Sequence, residues 1–191
     1  TMTLEGRLDT GSLGLAAVRG ARRGTDYRWL AEVTTVRAVG LAGAAALDDR
    51  AWVRETGTRW SPVGPELAAR QALDLAVLEA ALAVPDRAAA EELGLAYVEG
   101  ARARRCRLAV DGTVFRAAFP QVRWLVGTTN LANWRGELDV WVFADGQLGR
   151  VEGRLGGPGF DLEKEAIRAD VSVVLDATHR GQPINLVPPG G

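Results

Sequence analysis

Apolar and polar residues alternate with a period of two through most of this chain, most clearly between Gly136 and Leu155. There two alternating strands are joined by Asp145-Gly146. An Asp-Gly pair between apolar runs predicts a β-hairpin, because the tight two-residue turn needs residues that accept positive φ. A two-residue turn sets Val140 opposite Val151, Trp141 opposite Arg150 and Glu137 opposite Arg154. One face of the hairpin is then apolar and the other charged, and the Trp141–Arg150 pair predicts an exposed cation–π contact of about 0.5–1 kcal/mol.

The same half-apolar pattern recurs elsewhere. Met2, Leu4 and Leu8 alternate with Thr3, Glu5 and Arg7, predicting a first strand that Gly11-Ser12 interrupts and residues 13–18 resume. In the next strand Tyr27, Trp29, Ala31 and Val33 share a face, with Leu30 out of step among Arg28, Glu32 and Thr34. Residues 36–46 and 50–55 follow as strands, joined by an Asp48-Asp49 turn, and residues 58–62 close this section. The first third therefore predicts an antiparallel meander.

From Pro65 the period changes. Leu67, Leu75, Leu78 and Leu82 fall at helical spacing on one face, with Leu73, Val77 and Val84 alongside, predicting a helix broken near Ala72. Pro85-Asp86 ends it, and Asp before an Ala-rich run predicts a second short helix over residues 87–93 that Gly94 stops. Strands resume at residues 95–100 and 104–111, the latter placing Cys106, Leu108 and Val110 on one face. Asp111-Gly112-Thr113 then opens a helix with Phe115 and Phe119 one turn apart, ended or kinked at Pro120 before residues 122–126. A last strand over 167–176 alternates Ala169, Val171, Val173 and Leu175 with polar residues, and the Pro- and Gly-rich tail brings Ile184, Leu186 and Val187 to a sheet edge.

Strands interrupted by two helical insertions, without regular βαβ alternation, predict an α+β fold with a curved, mostly antiparallel sheet. Residues 1–187 read as a single domain and 188–191 as a flexible tail, since no repeat or composition step marks a second unit. The helices are the cover for the apolar face of the sheet, and a curled sheet closed by helices leaves room for an apolar ligand.

With 191 residues, 47% hydrophobic and 25% charged, the chain is of ordinary globular composition and long enough to bury a sizeable core. A formal charge of −1 gives no field to draw nucleic acid, so none is expected as a partner. Cys106 is alone, which rules out an intrachain disulfide. No run approaches the roughly 20 apolar residues of a membrane span. The chain begins at Thr1 inside a strand pattern, so an upstream segment is expected, with room for a signal peptide or lipid anchor.

Candidate chemistry is sparse. His179 follows the last strand with no partner for acid–base work, and Cys106 reads as a buried thiol whose flanking arginines face the other way. No His/Cys spacing suits zinc, Asp48-Asp49 is a turn pair, and Asp161, Glu163 and Glu165 read as a solvated acidic run, so neither catalytic nor metal-ligating residues are assigned. The glycine-rich residues 153–159 lack the Lys-Ser/Thr of a phosphate loop and read as a flexible loop. Arg102, Arg104, Arg105 and Arg107 form the densest basic cluster, either a solvated strand face or a lip for anionic headgroups. Half of the aromatic residues are Trp, which suits an apolar interior or an amphipathic rim at a membrane.

The order of elements resembles the LolA/LolB-type carrier fold, and more closely the LppX/LprG-like bacterial lipoproteins. The resemblance is carried by the Met2-Thr-Leu-Glu-Gly strand, Trp60-Ser-Pro before a Leu-rich helix, and Cys106-Arg-Leu-Ala-Val-Asp before a Phe-containing helix. Val140-Trp-Val-Phe-Ala-Asp-Gly-Gln-Leu and the tail at residues 184–188 complete it. It implies a half-barrel of antiparallel strands wrapped around two or three helices, exported to the cell envelope or periplasm and often tethered by a lipidated N-terminal cysteine. It also implies binding or transfer of a lipid or other acylated molecule, with no cofactor.

On that reading the cavity candidates are Trp29, Val33, Trp60, Leu75, Leu78, Leu82, Phe115, Phe119, Trp124, Val140 and Val142. A buried methylene contributes about 0.8 kcal/mol, so an acyl chain could supply most of its own binding free energy there. The alternative is that these side chains form a solid core and the domain serves a structural or protein-interaction role through an edge strand or helix face. A hydrolase or isomerase built on such a cup would need paired ionisable groups converging inside, and the sequence offers none.

Overall fold

The computed structural model describes residues 1–35, 39–73, 75, 78, 80, 90–122, 125, 131–160, 166–179 and 181–189. Its strands are β1 (Met2–Asp9), β2 (Gly14–Arg23), β3 (Asp26–Thr35), β4 (Val39–Leu47), β5 (Arg50–Arg54) and β6 (Ser61–Val63) in the first half. The second half contributes β7 (Ala90–Val98), β8 (Ala101–Asp111), β9 (Arg135–Phe143), β10 (Leu148–Phe160) and β11 (Ala166–Thr178). Helix α1 is Pro65–Ala69 and α2 is Gly112–Ala118.

All strands join one antiparallel, open sheet of order β6-β5-β4-β3-β2-β1-β11-β10-β9-β8-β7. The first and last strands pair in its middle, Thr3 opposite Thr178 and Leu8 opposite Val173. The chain therefore leaves the sheet at one edge, β6, and re-enters at the other, β7. The described part of that connection packs on the inner face: Ala68 of α1 lies with Ala51 and Val53, and Leu73, Leu75 and Leu78 join the main core. The expected curved antiparallel sheet wrapped around helical segments is the observed architecture.

Local chemistry explains the elements. Asp48 and Asp49 both take positive φ, 46° and 52°, giving the turn that folds β4 onto β5. The Asp111 carboxylate accepts from the Thr113 and Val114 amides at 2.8 and 2.9 Å, which stops β8 and starts α2. Phe115 and Phe119 then stack at 4.9 Å between centroids, both fully buried.

Several expectations are corrected. The first strand is not one interrupted strand: a 3-10 turn at Gly11–Leu13 reverses the chain, and β2 returns along β1 with Met2 opposite Arg22. Residues 90–93 are not helical but open β7, where pairing with β8 overrides the helical propensity of Ala-Glu-Glu-Leu, and Gly94, at φ 105°, follows a bulge that leaves Leu93 unpaired, in place of a helix stop. Residues 81–89 lie outside the described residues. The break near Ala72 is present, but α1 turns Ala68 to the sheet and leaves Leu67 47% exposed, so Leu67 does not share a face with Leu75 and Leu78.

The hairpin turn is also longer than expected. Gly146 N–H donates to the Phe143 carbonyl and Phe143 N–H to that of Gln147, enclosing Ala144-Asp145-Gly146. A bulge at Gly149 absorbs the extra residue, so the expected pairs Val140–Val151, Trp141–Arg150 and Glu137–Arg154 all hold. The glycine-rich residues 153–159 are strand, not loop, within β10. The tail meets a sheet face in place of an edge: Arg28, in the sheet interior, donates to the Val187 carbonyl at 3.3 Å.

Candidate functional site

The inner face of the sheet supplies the apolar layer in which a ligand site would lie. Alternation puts Leu4 and Leu8 of β1, Cys106 and Leu108 of β8, Leu138 and Val140 of β9, and Val171 and Val173 of β11 on this face. Leu73, Leu75 and Leu78 on one side and Phe115, Phe119, Val122, Leu125 and Leu131 on the other cover them, and together they form one connected apolar cluster from β4 to β8.

Eight candidate residues meet in this cluster: Trp29, Val33, Leu75, Leu78, Phe115, Phe119, Val140 and Val142. Trp29 fits because its cross-strand neighbour is Gly20, where a Cβ would stand 1.8 Å from Trp29 Cε3. The indole lies flat on β2. Trp60 is elsewhere. A Cβ on Gly43 would meet its ring at 2.8 Å, and Gly43 points away from Ala42 and Ala44, so Trp60 covers the outer face and is not brought to the inner layer. Leu82 and Trp124 lie outside the described residues.

Sequence reading missed Trp134, which is fully buried, packs against Gly157 and donates from Nε1 to the Pro158 carbonyl at 2.9 Å. The signal was the glycine-rich stretch itself, whose missing side chains accommodate the indole. It also missed Gln71 and Gln121, 4% and 1% exposed, set among apolar side chains. Gln121 Nε2 donates to the Gln71 backbone carbonyl at 2.9 Å, tying the two covering segments together. The Oε1 atoms of both are buried without a hydrogen-bond partner among the described residues.

The outer face is different chemistry. Arg105 and Arg107 both donate to Asp139, Arg107 Nε at 2.9 Å, and the Arg107 hydrogen bond, reinforced by Arg105, holds the Asp139 carboxyl below the usual carboxylate range. Trp141 is sandwiched between Arg105 and Arg150, at 5.0 and 5.5 Å, so the expected Arg150 contact is present but the indole is only 8% exposed. A hollow of about 530 Å³ opens nearby, lined by Arg135, Glu137, Arg154 and Asp170 around Gly156. Its charges of both signs are interleaved, Arg154 being ion-paired with Asp170 at 3.0 Å, which suits neither an acyl chain nor an anion.

The remaining candidates do not converge on one another. Cys106 is buried in the core, and His179 is exposed with Thr178 Oγ1 3.1 Å from its Nδ1. Asp161, Glu163 and Glu165 lie outside the described residues. Among the described residues no group of three His, Cys, Asp or Glu side chains could hold a metal ion.

No protein-family model matches the chain, and no curated protein is significantly similar to it. Solved structures are similar. LprF from Mycobacterium bovis matches with a TM-score of 0.53 at 13% identity, over 100% of this chain and 90% of its own. The lipoprotein LppX of Mycobacterium tuberculosis matches with a TM-score of 0.45 at 14% identity, over 96% of this chain and 87% of its own. The likeness to LprF is one of fold, and it is the fold to which the LppX/LprG-type resemblance of the sequence leads.

Proposed function

We propose that this chain is a non-enzymatic, extracytoplasmic carrier that holds a lipid or other acylated ligand between the inner face of its sheet and the covering segments. The observation that supports this most is the continuous apolar layer from Trp29 and Val33 across to Val140 and Val142, faced by Leu75, Leu78, Phe115 and Phe119. Such a layer gives an acyl chain a water-free path at about 0.8 kcal/mol per methylene, and asks nothing of acid–base chemistry. The acceptors of Gln71 and Gln121 supply polar atoms within it, suited to a ligand bearing a hydroxyl or amide donor.

The fold shared with LprF supports the same reading, and so does the family resemblance of the sequence, which implies an envelope location and a lipid anchor. Residues 1–187 act in it as one domain. The test is titration with a fluorescent fatty-acyl probe added from solution. Saturable uptake that Phe119→Glu abolishes in a folded protein supports the reading. Failure of the natural chain to take up the probe, once stripped of any bound lipid, points to a solid-core interaction domain.

A further inference from the structure

The basic cluster of β8 is divided by the sheet. Arg105 and Arg107 face outward and are bonded to Asp139. Arg102 and Arg104 alternate onto the inner face, are exposed, and have no ion-pair partner among the described residues. Directly across from them on the edge strand β7 stand Tyr97 and Leu95, paired Tyr97–Arg102 and Leu95–Arg104. Both apolar partners are unusually open for their type, Tyr97 at 74% and Leu95 at 60% exposed. The block adjoins the apolar layer, because Arg104 pairs on its other side with Val142.

We propose that this block, Leu95, Tyr97, Arg102 and Arg104, docks the protein on an anionic phospholipid surface. Aromatic and aliphatic side chains that reach into the headgroup layer, beside unpaired arginines that meet lipid phosphates, are what such a surface binds. Charge complementarity decides the occupant. The bulge between Glu92 and Gly94 breaks the edge along which a second copy would pair, and the exposed, unpaired charges of this block are of one sign, cationic. Glu92 lies on the same face beyond that bulge and makes no ion pair with Arg104. The proposal rests on the carrier reading for its purpose, since a rim beside Val142 is where an acyl chain would pass from bilayer to interior.

The test is cosedimentation with phosphatidylcholine vesicles, with and without phosphatidylglycerol. The natural chain is expected to bind the phosphatidylglycerol vesicles and to be released by salt. R102Q/R104Q weakens that binding roughly tenfold or more, L95S/Y97S weakens it comparably, and R154Q, on the outer face, leaves it unchanged. Circular dichroism confirms that each variant is folded. No binding by the natural chain, full binding by R102Q/R104Q, or a dimer in sedimentation velocity that Y97S dissociates while vesicles are ignored would each overturn the proposal. Probe uptake from solution is read separately: vesicle binding without uptake removes the carrier reading, and uptake without vesicle binding removes only the docking.

Discussion

The indole of Trp29 occupies the space that a side chain at Gly20 would fill, with a Cβ there only 1.8 Å from Trp29 Cε3. This close approach seats the largest side chain of β3 in the core, at 3% exposure. Gly20→Val therefore forces the indole off its rotamer and is expected to lower stability by about 1–3 kcal/mol. Thermal unfolding reads this directly as a drop in Tm of roughly 2–4 °C per kcal/mol.

Asp139 anchors the outer face through Arg107 and Arg105. Its carboxyl is held below the usual range, so its stabilising contribution is complete above the unfolded carboxylate value near about pH 4 and is lost as pH falls through the lower folded value. Asp139→Asn is expected to cost about 1–2 kcal/mol at neutral pH, and the gap between variant and natural chain should close under acid. Urea unfolding at neutral and acid pH measures it.

Tyr27 carries a buried hydroxyl without a hydrogen-bond partner among the described residues, and burial pushes its pKa up to about 12, against a smaller opposing effect of Arg22. A phenol whose folded pKa is raised stabilises the fold below the unfolded value near about 10 and loses that contribution as pH rises toward the folded value. Tyr27→Phe should be close to neutral at pH 7. At alkaline pH the natural chain should fall below the variant, a crossover visible in chemical unfolding.

Gln121 and Gln71 predict an asymmetry. Gln121→Leu removes the donor to the Gln71 carbonyl and leaves it unpaired, costing about 1–3 kcal/mol. Gln71→Leu keeps that backbone bond and removes a buried unpartnered oxygen, so it should cost clearly less. Paired denaturation curves of the two variants distinguish them.

Strand faces were legible in the sequence because period-two alternation survives wherever one face is buried, as in Ala169 to Leu175 and Cys106 to Val110. The hairpin pairs were legible despite a wrong turn length, because the Gly149 bulge restores the register that the longer loop shifts. Chain reversal was not legible at Gly11–Leu13, since alternation reads the same in one strand or two. Residues 90–93 have helical propensity, and only the pairing with β8, invisible locally, makes them strand. Of the candidate residues, the eight that meet on the inner face could be placed there from spacing. Trp60 could not be placed, because its face depends on the glycine in β4 that it covers, nor could Trp134, whose seat is a glycine in a strand that composition alone presents as a loop.

The most direct measurement of the carrier reading is native mass spectrometry of the purified protein, followed by organic extraction and lipid analysis. The expected result is an acylated species bound at one per chain, or one taken up on addition. A chain of apo mass that stays apo when offered acyl ligands would contradict it.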